Sequence, residues 1–125
     1  IHKPVKDIGF EYIRSSILVM TSHYEGFPMV MIEEMACGLP VVSFDFKCGP
    51  YDIIRDGNNG YIVTDGDIDT FAERLTTLMS DDDLRKKMSE SALEISETFS
   101  EEKVMEKWID LFETLKPTAN ETVAN

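Results

Sequence analysis

Two short apolar runs organise the first half of the chain, residues 16–22 (SILVMTS) and 40–44 (PVVSF). Continuous apolar runs of this length are the pattern of strands buried on both faces. Between them, residues 28–37 (PMVMIEEMAC) read as a helix, apolar on nearly every face apart from Glu33 and Glu34. Pro28 stands at its first helical position, where a missing N–H costs nothing, and Gly38 lies just past its end. Upstream, residues 7–15 place Ile8 and Tyr12, flanked by Phe10 and Ile13, on a short amphipathic helix that Gly9 weakens. Downstream come a helical turn at 50–55, a turn at 56–60 (DGNNG) and a third strand at 61–64 (YIVT). From Asp67 the period becomes helical, with helices expected over about 68–79, 81–97 and 101–116. The second follows the cap-like Asp81-Asp82-Asp83, and the third carries Val104, Trp108, Leu111, Phe112 and Leu115 on one stripe. The polar residues 117–125 read as a disordered tail.

Alternation of helix and strand with short connections implies right-handed crossovers and a parallel sheet. Three strands are few for a sheet that must be covered on both faces. The expected fold is therefore α/β: a partial Rossmann-like parallel sheet followed by C-terminal helices, one domain over residues 1–116 that is incomplete on its N-terminal side. The chain opens on Ile1 rather than Met, in keeping with a piece of something longer. It has no internal repeat and no low-complexity tract.

The 125 residues suffice for one cored domain. A formal charge of −12, with 24 acids against 12 bases and no Lys/Arg cluster, excludes nucleic acid and anionic membrane surfaces as partners. Cys37 and Cys48 lack both metal-type spacing and the density of a stapled secreted fold, which points to reduced thiols in the cytoplasm. No apolar run approaches the roughly 20 residues that span a bilayer, and no signal-peptide pattern is present.

Residues 20–42 hold the chemistry. Open parallel sheets bind ligands at the carboxyl ends of their strands, and residues 22–27 lie there, between the first strand and its helix. The helix start offers unpaired amides from Phe27 through Met29 to Val30, able to hold a phosphate without a cation, and Gly26 lets backbone approach closely. Many helices begin after a glycine and bind nothing, so the acids matter more. Glu25 lies in the loop, and seven residues separate it from Glu33. A carboxylate on an otherwise apolar helix costs several kcal/mol unless it is hydrogen-bonded or reaches water. A narrow wet edge would account for Glu33 or Glu34; both, together with Glu25, favour a hydroxyl-rich ligand, because carboxylates accept well from sugar hydroxyls.

Glu25-Gly26-Phe27-Pro28, then Glu33, then Met35-Ala36-Cys37-Gly38-Leu39-Pro40-Val41-Val42 resemble the signature of the large retaining glycosyltransferase family of GT-B fold, glycosyl transferases group 1, whose two glutamates are separated by seven residues. CGPYDII and DGNNGYIV resemble its next two blocks in the same order, so the resemblance covers about residues 5–100. It implies that Glu25 sits beside the donor sugar near its reactive carbon and acts in catalysis. Glu33 would bind ribose hydroxyls, and the loop from Gly26 to Val30 would contact sugar and diphosphate. It also implies a nucleoside diphosphate sugar as donor and hexosyl transfer with retention of configuration. No metal or other cofactor is implied. A glycan or lipid-linked acceptor would be held by a second domain, reached peripherally at the membrane. The family's basic pair that neutralises the diphosphate lies on earlier elements absent from this sequence, so the piece alone is expected to be inactive. Its last helix commonly crosses to the other domain; without that domain the stripe is expected to fold back on the sheet or to drive self-association.

The remaining polar residues have blander readings. His23, with no partner visible in the sequence, is a rim or packing residue. Asp45 is a strand-end turn residue rather than a receiver-like phosphoacceptor, since the rest of such a site is missing. Cys37 packs as a small hydrophobe in the buried helix. Cys48, in a Gly-Pro loop, has no general base beside it. Asn58-Asn59-Gly60 serves as a turn. Two alternatives stand beside the transferase: a sister enzyme such as an epimerase or phosphorylase, matched less well by the EGFP and GLP blocks, and a non-catalytic nucleotide- or phosphate-binding Rossmann-type module. A dinucleotide cofactor is disfavoured because no Gly-x-Gly-x-x-Gly opens a helix.

Overall fold

The computed structural model describes residues 7–47 and 49–115; the expected tail at 117–125 and Cys48 lie outside them. Strands β1 (Leu18–Met20), β2 (Val41–Phe44) and β3 (Gly60–Val63) form one parallel sheet in the order β1-β2-β3. Val41 pairs with Leu18 on one side and with Gly60 on the other. Helix α1 (Gly9–Arg14) precedes β1, and α2 (Met29–Ala36) joins β1 to β2. A 3-10 turn at Pro50–Asp52 leads towards β3. Helices α3 (Ile68–Ser80), α4 (Asp82–Leu93), α5 (Ile95–Thr98) and α6 (Glu101–Thr114) follow. The α/β expectation is met, and the helix expected over 81–97 is broken at Glu94.

Alternation along the strands divides the core in two. Leu18, Met20 and Val41 face Met31, Ile32 and Met35 of α2, with Ala92 and Ile95 behind them. Val42, Phe44 and Val63 face Phe71 and Leu78 of α3. Asp67, Asp81 and Ser100 cap α3, α4 and α6, each accepting from the backbone N–H three residues on. Arg85 donates to the Leu78 carbonyl at 2.7 Å, which satisfies an orphan acceptor at the end of α3.

The expectation for β1 is corrected. β1 is shorter than residues 16–22 and is not buried on both faces: Val19 is 45% exposed, because α3 covers β2 and β3 and stops short of β1. In DGNNG, Gly57 is left-handed at φ 74° and Asn59 is buried, its Oδ1 accepting from the Arg55 N–H at 2.8 Å and its Nδ2 donating to the Ile53 carbonyl at 3.3 Å. Asn59 thus plugs the turn from inside, and the turn expected at DGNNG is present. Of the two outcomes expected for α6, it does not take the first, folding back on the sheet. None of its residues is buried, Trp108 is 50% exposed, and Trp108 stacks on Phe112 with ring centroids 5.7 Å apart.

Candidate functional site

The carboxyl ends of all three strands open on one side of the sheet, and the loops leaving them are tied together there. Tyr24 in the β1–α2 loop forms a parallel bridge with Lys47 beyond β2, which prolongs the ladder past the strand ends. His23 Nδ1 lies 2.8 and 2.9 Å from the two carboxylate oxygens of Asp65 beyond β3, an ion pair when the ring is protonated. His23 is therefore a rim residue with a partner 42 positions away, invisible to local sequence reading. Asp45 ends β2 and accepts from the Tyr51 hydroxyl at 2.8 Å, a bond to the carboxylate that raises the tyrosine's pKa.

Within that frame the β1–α2 loop presents the predicted site residues. Pro28 is the N-cap of α2 rather than its first residue, and Met29 donates its N–H back to the Phe27 carbonyl at 2.9 Å. Of the amides assigned to phosphate, Met29 is thus occupied and Pro28 has none. The Gly26, Phe27 and Val30 N–H groups have no partner among the described residues. An added Cβ on Gly26 would meet nothing within 4 Å, so the loop is open at that point. Phe27, Met29 and Val30 are exposed around these amides, and Phe27 rests against Phe99 with ring centroids 5.7 Å apart. Glu25 is half-buried and has no hydrogen-bond or ion-pair partner among the described residues.

Glu33 and Glu34 sit one turn further into α2 and are treated differently by their surroundings. Glu33 is exposed, and the Tyr12 hydroxyl of α1 donates to its Oε2 at 3.4 Å. Glu34 is half-buried, and burial first, then the Glu33 carboxylate, raises its pKa above the ordinary carboxylate value. Folding therefore makes Glu34 bind its proton more tightly than the unfolded chain does. The penalty is present at neutral pH and is relieved as pH falls through the raised pKa. We expect Glu34→Gln to raise the thermal midpoint at neutral pH and to flatten its change as pH falls from neutral through the carboxylate range. Melting curves of the two proteins across that range would refute this if the variant were the less stable at pH 7.

Cys37 is not packed in a buried helix. It caps α2 and is exposed, facing a cavity of about 280 Å³ at the opposite, amino ends of the strands, shared with Ser15, Ser16, Arg85 and Ser89. That cavity lies away from Glu25 and the free amides. The amide-and-acid loop is instead an open surface. Tyr12 and Asp65 are the participants that the sequence did not single out. Tyr12 was visible only as an apolar helix position, and Asp65 carried no signal linking it to His23.

The family described as Glycosyl transferases group 1 matches residues 2–95. The chain is 38% identical over 108 residues to the amylovoran biosynthesis glycosyltransferase AmsD of Erwinia amylovora, an alignment spanning 86% of this chain and 30% of that protein. It is 41% identical over 97 residues to the poly(ribitol-phosphate) alpha-N-acetylglucosaminyltransferase of Staphylococcus aureus, covering 77% of this chain and 20% of that one. Among solved structures, an S. aureus TarM mutant in complex with fondaparinux, alpha-GlcNAc-glycerol and UDP superposes with a TM-score of 0.76 at 36% identity, over 84% of this chain and 22% of that one. The C-terminal domain of the glycosyl transferase group 1 family protein LpcC of Francisella tularensis superposes with a TM-score of 0.69 at 31% identity, over 78% and 51%. The chain thus spans less than a third of the length of the two curated relatives.

Proposed function

The chain belongs to the glycosyl transferases group 1 family, and from that premise we propose that it is the donor-binding part of a longer, GT-B enzyme. The enzyme moves a hexosyl group from a nucleoside diphosphate sugar to a glycan or lipid-linked acceptor with retention of configuration. The anomeric carbon–diphosphate oxygen bond breaks, the acceptor hydroxyl oxygen bonds to that carbon, and its proton leaves with the nucleoside diphosphate. The observation that carries this reading is the β1–α2 loop. The Gly26, Phe27 and Val30 amides stand free beside the partnerless Glu25, with Glu33 one turn away. Free amides at a helix start suit a diphosphate. A half-buried carboxylate beside them suits the positive charge that develops at an anomeric carbon during transfer.

Glu25 is the catalytic residue in this reading, Gly26 to Val30 bind sugar and diphosphate, and Glu33 binds the ribose. No bound metal takes part; cations supplied by other elements neutralise the diphosphate. UDP in the TarM complex supports a nucleoside diphosphate donor. No helix among the described residues is long and apolar enough to cross a membrane. We place the enzyme in the cytoplasm, with the acceptor-binding domain at the membrane surface.

The test is calorimetric titration with nucleotide sugars and a transfer assay, run on the full-length protein and on this chain. The full-length protein is expected to bind and transfer. This chain is expected to bind no better than about millimolar and to transfer nothing, because it has the amides and acids of the pocket without its cations. Micromolar binding or measurable transfer by the chain alone would show that the pocket is already complete.

A further inference from the structure

We infer that Tyr12 is a positioning residue whose hydroxyl fixes the Glu33 carboxylate for its nucleotide ligand, an inference that rests on the reading of Glu33 as the ribose contact. Tyr12 is the one buried residue of α1, and its hydroxyl reaches across to Oε2 of Glu33 at 3.4 Å. Facing a carboxylate, a phenol donates a single hydrogen bond, whereas the carboxylate accepts on both oxygens. Tyr12 therefore engages Oε2 and leaves Oε1 to accept from a ligand hydroxyl. The distance is long for an O–H···O bond, so a small rotation of either side chain would shorten it. Burial, followed by the Glu33 and Glu34 carboxylates, raises the Tyr12 pKa, so the hydroxyl keeps the proton it must donate.

The carboxylate of Glu34, one residue on, has no hydrogen-bond donor among the described residues. Helix α1 thereby distinguishes two neighbouring acids that periodicity alone leaves equivalent. Packing does not explain the hydroxyl, because a phenylalanine ring would fill the same space.

The experiment uses the full-length protein and calorimetry. The probe is whichever of UDP, GDP and ADP the wild type binds most tightly, together with its 2′,3′-dideoxy counterpart. Glu33→Gln is expected to weaken the nucleotide about tenfold and to abolish most of its preference over the dideoxy analogue. Tyr12→Phe is expected to weaken the nucleotide about threefold to fivefold while leaving the dideoxy analogue unchanged. The double variant should bind like Glu33→Gln alone, because the hydroxyl acts only through that carboxylate. Tyr12→Phe with full affinity and preference, beside a damaged Glu33→Gln, overturns the role of Tyr12 and leaves the ribose reading standing. The role of Tyr12 falls equally if its variant weakens both probes to the same extent, or if the two losses multiply. A Glu33→Gln protein that binds and discriminates like the wild type overturns the ribose reading and the inference with it.

Discussion

Glu25→Gln in the full-length enzyme is expected to lower turnover about 100-fold while changing donor affinity less than about threefold. Glutamine keeps the shape and one acceptor but removes the charge. Glu25 is half-buried and carries no partner among the described residues, so its charge is not already balanced within the chain. In the ground state the donor's anomeric carbon is neutral, and a neutral amide serves nearly as well as a carboxylate. The difference appears when the bond to the diphosphate lengthens and positive charge develops at that carbon. Steady-state kinetics with the donor varied would separate the two effects. Unaltered turnover, or a loss confined to KM, would move Glu25 out of the reacting centre.

The largest effect on folding is expected at Gly60, where a methyl group has nowhere to go. Gly60 opens β3 directly opposite Val41, and a Cβ placed on it would lie 2.5 Å from both the carbonyl oxygen and Cγ1 of Val41. Val41 is fully buried in the central strand and is held on its other side by Leu18, so it has no room to yield. Gly60→Ala should therefore cost about 3 kcal/mol or more, or prevent folding outright. Gly57 is the control. Its φ of 74° disfavours a side chain but nothing lies within 4 Å, so Gly57→Ala should cost only about 1–2 kcal/mol. Urea unfolding of both variants, with the yield of soluble protein recorded beside it, would reject the steric account if Gly60→Ala proved no worse than Gly57→Ala.

Much of the fold was legible because the strand and helix periods differ. The apolar runs around Val19 and Val42 and the 3.6-residue pattern of α3, α4 and α6 each placed an element within a few residues of its observed bounds. Glu25, Gly26 and Glu33 stood out for a related reason, since charged or flexible residues at the ligand end of a buried helix need a cause beyond packing. Contacts across the fold were not legible. The pairing of His23 with Asp65, the bridge from Tyr24 to Lys47 and the reach of Tyr12 to Glu33 all depend on how the sheet brings distant segments together. Local composition carries no trace of them. Cys37 and Val19 were misread on similar grounds. An apolar or small residue in an apolar run reads as buried, and only the extent of the neighbouring layer reveals that α3 stops short of β1 and that α2 ends beside an open hollow.

The chain has a single tryptophan, and it lies on α6, a long helix none of whose described residues is buried. Trp108 touches Phe112 and is half open to water on α6, away from both halves of the core. Its emission therefore reports the local environment of α6 and is blind to the sheet. A red-shifted, quenchable spectrum would be the signature of the native body with α6 uncovered, not of an unfolded one, and a blue shift would register the arrival of a covering surface. Melting of the domain itself has to be followed through far-ultraviolet dichroism, because tryptophan emission can stay unchanged while the sheet and its covering helices come apart.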